Sequence, residues 1–128
     1  MSILWLNKDK KPGVATFTDK AITLNTSVIV ALKDCTYVMI GIDDKEDEVI
    51  IKPISLNDIE RAKIDVNVLY KVSINRSYAR ITSKSVVEKV EQTFKNCDVF
   101  NKKFPTSYDE IKDLIHIYLN KEVGKDDQ

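Results

Sequence analysis

Five cations carry most of the chemistry this sequence offers. Arg76 and Arg80 flank the turn Asn75-Arg76-Ser77, Lys71 and Lys84 stand nearby, and Lys20 sits in an earlier turn after Thr18-Asp19. Guanidinium groups on either side of a hairpin turn can present two planar forks to phosphate oxygens, and the lysines add point charges. Lys8-Asp9-Lys10-Lys11 would add electrostatic attraction. The competing reading is that these are solvated side chains on a neutral protein, because twenty Lys+Arg balance twenty Asp+Glu. That balance excludes a globally basic nucleic-acid coat but not a local basic patch.

Other chemistry is thin. His116 is the single histidine and lies in an apolar stretch beside Tyr118. A structural role is expected, since catalysis would need a cleft joining it to a carboxylate, and no Ser/His/Asp or Cys/His spacing suggests one. The acidic runs Asp43-Asp44-Lys45-Glu46-Asp47-Glu48 and Asp109-Glu110 lack the glycine and ligand spacing of a calcium loop and read as solvated turns. Cys35 and Cys97 stand alone, without a second cysteine or histidine at zinc-ligand spacing. There is no glycine-rich phosphate loop. No catalytic residue, metal site, cofactor or small-molecule substrate is therefore expected.

The elements that must position these residues follow from periodicity. The 128 residues are 43% apolar and 31% charged, enough for one folded domain over residues 1–123 with a polar tail at 124–128. No run approaches the roughly 20 apolar residues of a membrane helix. The start, Ile3-Leu4-Trp5-Leu6, is too short for a signal-peptide core, so a cytoplasmic protein with reduced cysteines is expected. Strands are expected at Ile3–Leu6, Val14–Phe17, Ala21–Leu24, Thr36–Ile42, Glu48–Lys52, Leu69–Ile74 and Tyr78–Thr82. Pro53 should end the ladder there, and Pro105 should make 103–108 an edge or bulged strand. Val28, Ala31, Leu32 and Cys35 form an apolar stripe on a short helix over Thr26–Lys33. A turn or two of helix is expected at Ser55–Lys63. Val86, Val87, Val90 and Phe94 make the stripe of a firmer helix, capped by Ser83 or by Ser85, whose Ser85-Val86-Val87-Glu88 fits a capping box. The stretch 108–119 fits either a hairpin or a helix from Tyr108 to Lys121 capped by Ser107. Tyr37, Met39 and Trp5 are candidates for an apolar interface, and exposed edge strands would invite pairing.

The two halves are alike. With Asn25 aligned to Ser83, Ala21 meets Ala79, Ser27 meets Ser85 and Val28 meets Val86, and Ile22-Thr23 answers Ile81-Thr82 after a one-residue gap. Ile42-Asp43 through Ile51 parallels Tyr108-Asp109 through Ile117, which tips the C-terminal stretch toward a hairpin. The expected fold is α+β, two β-β-α-β-β halves over 14–53 and 69–119 that pack as one β-rich barrel with short helices.

Ile22-Thr23-Leu24-Asn25, an apolar helix, a strand, an acidic turn and Val49-Ile50-Ile51-Lys52-Pro53 together resemble the AbrB/SpoVT swapped-hairpin family. The tandem halves are similar to the MraZ arrangement and to proteins of mobile elements in low-GC bacteria. The resemblance implies a non-enzymatic homodimer (or higher homo-oligomer) that binds double-stranded DNA and regulates transcription. Arg76, Arg80, Lys71, Lys84 and Lys20 are the positions able to serve. The family's Gly-Asp turn after the helix is replaced here by Lys33-Asp34-Cys35, and the first half has no arginine. The alternative is a protein–protein interaction module with the same fold and no DNA surface.

Overall fold

Alternation of apolar and polar residues every second position dictates short strands with one inward face, and eight such strands close on themselves. The computed structural model describes residues 13–25, 32, 37–75, 78–94, 99 and 101–120. The strands are β1 (Gly13–Phe17), β2 (Ala21–Asn25), β3 (Tyr37–Asp43), β4 (Glu48–Ile54), β5 (Tyr70–Ile74), β6 (Tyr78–Thr82), β7 (Lys103–Asp109) and β8 (Leu114–Tyr118). Around the barrel they run β1-β2-β6-β5-β3-β4-β8-β7, and β7 returns to β1. Every neighbouring pair is antiparallel.

The interior is apolar. Ala15, Phe17, Ile22, Leu24, Val38, Val49, Ile51, Ala79, Ile81, Phe104, Ile115 and Ile117 are buried and form one cluster. An eight-stranded barrel is narrow enough for side chains to fill, and these line its interior. Among the described residues two α-helical segments of more than one turn accompany the strands: α1 (Leu56–Ala62), in the connection from β4 to β5, and α2 (Lys84–Thr93), between β6 and β7. Val86, Val87 and Val90 of α2 are buried, and Phe94 follows them into the barrel cluster. Among the described residues, no helix is long and apolar enough to cross a membrane.

The acidic runs make two turns with the same chemistry. Asp43 Oδ1 accepts the amides of Lys45 and Glu46 at 3.1 and 3.2 Å. Asp109 Oδ1 accepts those of Ile111 and Lys112 at 3.0 and 3.2 Å. Each turn then closes on an aspartate in the left-handed region, Asp47 at φ 55° and Asp113 at φ 56°. Aspartate tolerates that conformation better than most residues. Residues 103–118 are thus a hairpin rather than a helix.

Several expectations need correction. Pro53 does not end its ladder: β4 runs on to Ile54, with Pro53 opposite Val38. Pairing of β4 with β8 stops at Ile51, so the missing N–H of Pro53 costs no bond on that side. Pro105 does not make β7 an edge either. It lies opposite Val14 of β1, and the ladder to β8 begins one residue later at Thr106. The helix α2 is capped by Ser83, whose hydroxyl accepts from Val86 N at 3.3 Å; Ser85 is inside the first turn, so the box starting at Ser85 does not form. Closure of the barrel removes most of the expected strand edges. The strand at Ile3–Leu6 with Trp5, the lysine run 8–11, both cysteines and Arg76 lie outside the described residues. So does the helix over 26–33, apart from Leu32, which is buried.

Two predictions arise here. Thr106 shares the inward side of β7 with Phe104, and its Oγ1 is buried with no hydrogen-bond partner. Thr106→Val replaces an unsatisfied hydroxyl by a methyl and should stabilise the protein by about 1 kcal/mol in urea unfolding. At α1, Ser55 N–H donates to Asp58 Oδ2 and Asp58 N–H donates to Ser55 Oγ, each at 3.1 Å. The Ser55 backbone bond, followed by the Ser55 side chain, holds the Asp58 carboxyl below the usual aspartate range. A lowered carboxyl stabilises the cap above that range, and the contribution is lost as pH falls through the lowered value. The amide protection of α1, taken against the intrinsic exchange rate at each pH, should therefore fall in acid before that of the barrel strands, and Ser55→Ala should lower it at neutral pH.

Candidate nucleic-acid interface

Strands β2, β6 and β5 are neighbours and contain no carboxylate among their fifteen residues, Ala21–Asn25, Tyr78–Thr82 and Tyr70–Ile74. Their inward positions are apolar, so their cations must face out. Arg80 lies opposite Thr23 on β2 and Ser73 on β5. It is exposed, and its guanidinium carbon sits 5.4 Å from the centre of the Tyr78 ring. That cation–π contact limits the orientations of the fork without neutralising it. Lys71 is also exposed, two residues before Ser73 on the same face, and so diagonal to Arg80 at on the order of 7 Å between Cβ atoms.

Lys20 and Lys84 come from different elements to one end of this face. Ser83 N–H donates to the Lys20 carbonyl at 2.8 Å, which ties the β1–β2 turn to the residue that caps α2. Thr18 fixes that turn, its Oγ1 accepting from Lys20 N and Ala21 N at 3.3 and 3.1 Å. Both lysines are exposed. Among the described residues none of Lys20, Lys71, Arg80 and Lys84 is held in an ion pair. Four of the five candidate cations are thus gathered on or beside one three-strand face; Arg76 lies outside the described residues.

The opposite face carries a different cluster. Glu48 and His116 are diagonal neighbours on β4 and β8, with Glu48 Oε1 2.7 Å from His116 Nδ1. Their side chains are 16% and 23% exposed. The His116 ring lies parallel to that of Tyr118 at 6.2 Å between centres, and Ser107, directly opposite His116 on β7, bonds the Tyr118 hydroxyl at 2.5 Å. The sequence reading missed this carboxylate partner because it lies 68 residues away. Only the β4–β8 register could have found it. The cluster stands on the outer wall of the barrel. The cavity of about 290 Å³ elsewhere in the molecule is lined by Ile40, Ile42, Tyr70, Ser85, Val86 and Lys89, none of them from this cluster. Among the described residues no three His, Cys, Asp or Glu side chains are placed to share a metal ion.

No protein-family model, curated protein or solved structure matches this chain. The likeness to the AbrB/SpoVT pattern therefore rests on the residues quoted above alone.

Proposed function

We propose that this is a small cytoplasmic protein that binds double-stranded DNA through the outer face of β2, β6 and β5, and regulates transcription by binding rather than by catalysis. The observation that carries the reading is charge segregation in a chain of net charge +0. The β2–β6–β5 face has Arg80 and Lys71, with Lys20 and Lys84 beside it, and no acid in its strands. Strands β3, β4 and β7 hold Asp43, Glu48 and Asp109. A basic face whose strands hold no carboxylate attracts phosphates at short range whatever the net charge.

The reading includes a duplicated β-β-α-β-β unit, as in the MraZ-like arrangement, and self-association into a homo-oligomer. The ring order supports duplication: exchanging β1, β2, β3 and β4 with β5, β6, β7 and β8 leaves the cycle unchanged. The β3–β4 and β7–β8 turns with their matching aspartates support it as well. Under that exchange the β2–β6 ladder centres on the pair Thr23 and Arg80, which puts the arginine in the middle of the face. Fluorescence anisotropy of a labelled duplex against the full chain tests the function. Absence of binding at low salt removes it and leaves the reading as a protein–protein interaction module, which the stretch of β3 that pairs only with β4 favours.

A further inference from the structure

The barrel wall opens where β3 parts from β5. Their ladder holds at Tyr37 opposite Lys71 and at Val38 opposite Tyr70. Carried further, that register would set Ile40 opposite Val68. Residues Val66–Val68 wind into a 3-10 turn instead, and the ladder stops. Helix α2 stands across the opening: Ser85, Val86 and Lys89 share a cavity of about 290 Å³ with Ile40, Ile42 and Tyr70. The floor is apolar. Val86 is buried, and Ile40, Ile42 and Tyr70 pack against the barrel cluster from partly buried positions. The polar groups of the lining are few. Lys89 is its one charged residue, and among the described residues no ion pair holds it. Ser85 precedes it by four residues, so both belong to the same side of α2. The Ser85 hydroxyl meets that of Ser83 at 3.1 Å and has capacity for a further bond. The Tyr70 hydroxyl makes no hydrogen bond among the described residues. No carboxylate lines the cavity.

We propose that this cavity binds a small alkyl carboxylate, its chain along Ile40, Ile42 and Val86 and its head on Lys89. The proposal goes beyond the reading above and does not rest on DNA binding. Charge selects the head. One cation without a carboxylate beside it suits a single negative charge, and the two hydroxyls can donate to the same anionic oxygens. A doubly charged phosphate would meet one cation and three apolar walls. Burial selects the tail, because an apolar chain in contact with two isoleucines and a valine leaves water. Ile40 and Ile42 stand two positions apart on one side of β3, a floor about 7 Å long that matches an extended chain. Volume sets the length. A space of about 290 Å³ equals the liquid share of about ten water molecules, and so admits about ten non-hydrogen atoms, the size of octanoate. Mostly apolar walls with a few convergent polar groups are the usual composition of a small-molecule site.

The test titrates the full chain with sodium octanoate and follows backbone and methyl NMR shifts. Acetate and 1-octanol serve as probes that keep only the head or only the tail. Octanoate should saturate with a Kd on the order of 1 mM. Its largest shifts should fall at Ile40, Ile42, Tyr70, Val86 and Lys89. Acetate and 1-octanol should each bind at least about tenfold more weakly, the first for want of apolar burial and the second for want of charge. Lys89→Met keeps the aliphatic stem and removes the charge, and the exposed position lets the fold stand. It should lower the octanoate affinity about tenfold and leave that of 1-octanol unchanged. Lys89→Arg should keep octanoate binding. Three results would each overturn the proposal: no saturation by about 10 mM octanoate, shifts centred on Arg80 and Lys71 in place of the cavity, or an octanoate affinity that Lys89→Met does not move.

Discussion

Duplex DNA should bind the full chain at low salt and lose about 100-fold in affinity as salt rises from about 50 to 200 mM. The magnitude follows from counting cations. Lys20, Lys71, Arg80 and Lys84 are exposed and, among the described residues, outside ion pairs. Each neutralised phosphate contributes a slope of about −0.9 in log affinity against log salt, so four give about −3.6. Arg80→Ala should weaken binding to all sequences alike and make the slope shallower by about 1. Arg80→Lys should recover the slope but not the full affinity, since the fork and its contact with Tyr78 go with the guanidinium. Lys103→Ala, an exposed cation on β7, should change neither. A flat salt dependence, or equal effects of the Arg80 and Lys103 substitutions, would sink the assignment of this face.

How much of that face could be read from the sequence depends on the range of the interactions that build it. Strands β1 to β6 and the stripe of α2 follow from local alternation, and the acidic turns follow from aspartates that bond the next amides. The order of strands around the ring does not, because pairing is non-local and each strand fits several neighbours. Lys20 and Lys84 reach the same end of the face because the β2–β6 ladder sets Ala21 opposite Thr82 and Ser83 N–H reaches the Lys20 carbonyl. The Glu48–His116 pair needs the β4–β8 register. Prolines illustrate the same limit. A local rule places Pro53 and Pro105 at strand ends or edges. The barrel instead puts each where only one flank is paired, and the missing N–H then costs little. Ser83 and Ser85 both satisfy the chemistry of a cap. Ser83 takes the role where β6 ends, with its own amide already tied to Lys20.

Truncating either phenylalanine of the interior should cost a large share of the protein's stability. Phe17 on β1 and Phe104 on β7 are 0% and 1% exposed, and their rings meet edge to face, 5.7 Å between centres at 81°. Phe104 lies opposite Ala15, so the small side chain of β1 makes room for the large one of β7. Strands on both flanks fix the wall around this pair and limit its collapse onto a void. Phe17→Ala and Phe104→Ala should each destabilise by about 3–5 kcal/mol. Against a total of about 5–15 kcal/mol for a domain of this kind, either change leaves a marginal fold. The double substitution should show a coupling of about 1 kcal/mol, the edge-to-face contact being lost only once. Ile111→Ala, in the β7–β8 turn, should leave the urea midpoint unchanged, because that side chain is 96% exposed. Phe17→Ala within about 0.5 kcal/mol of the parent protein would mean that the interior is not packed around this pair. The same measurement bears on function. The cations of the β2–β6–β5 face point away from this core, so a milder change such as Phe17→Leu should lower stability while leaving the salt slope of DNA binding intact.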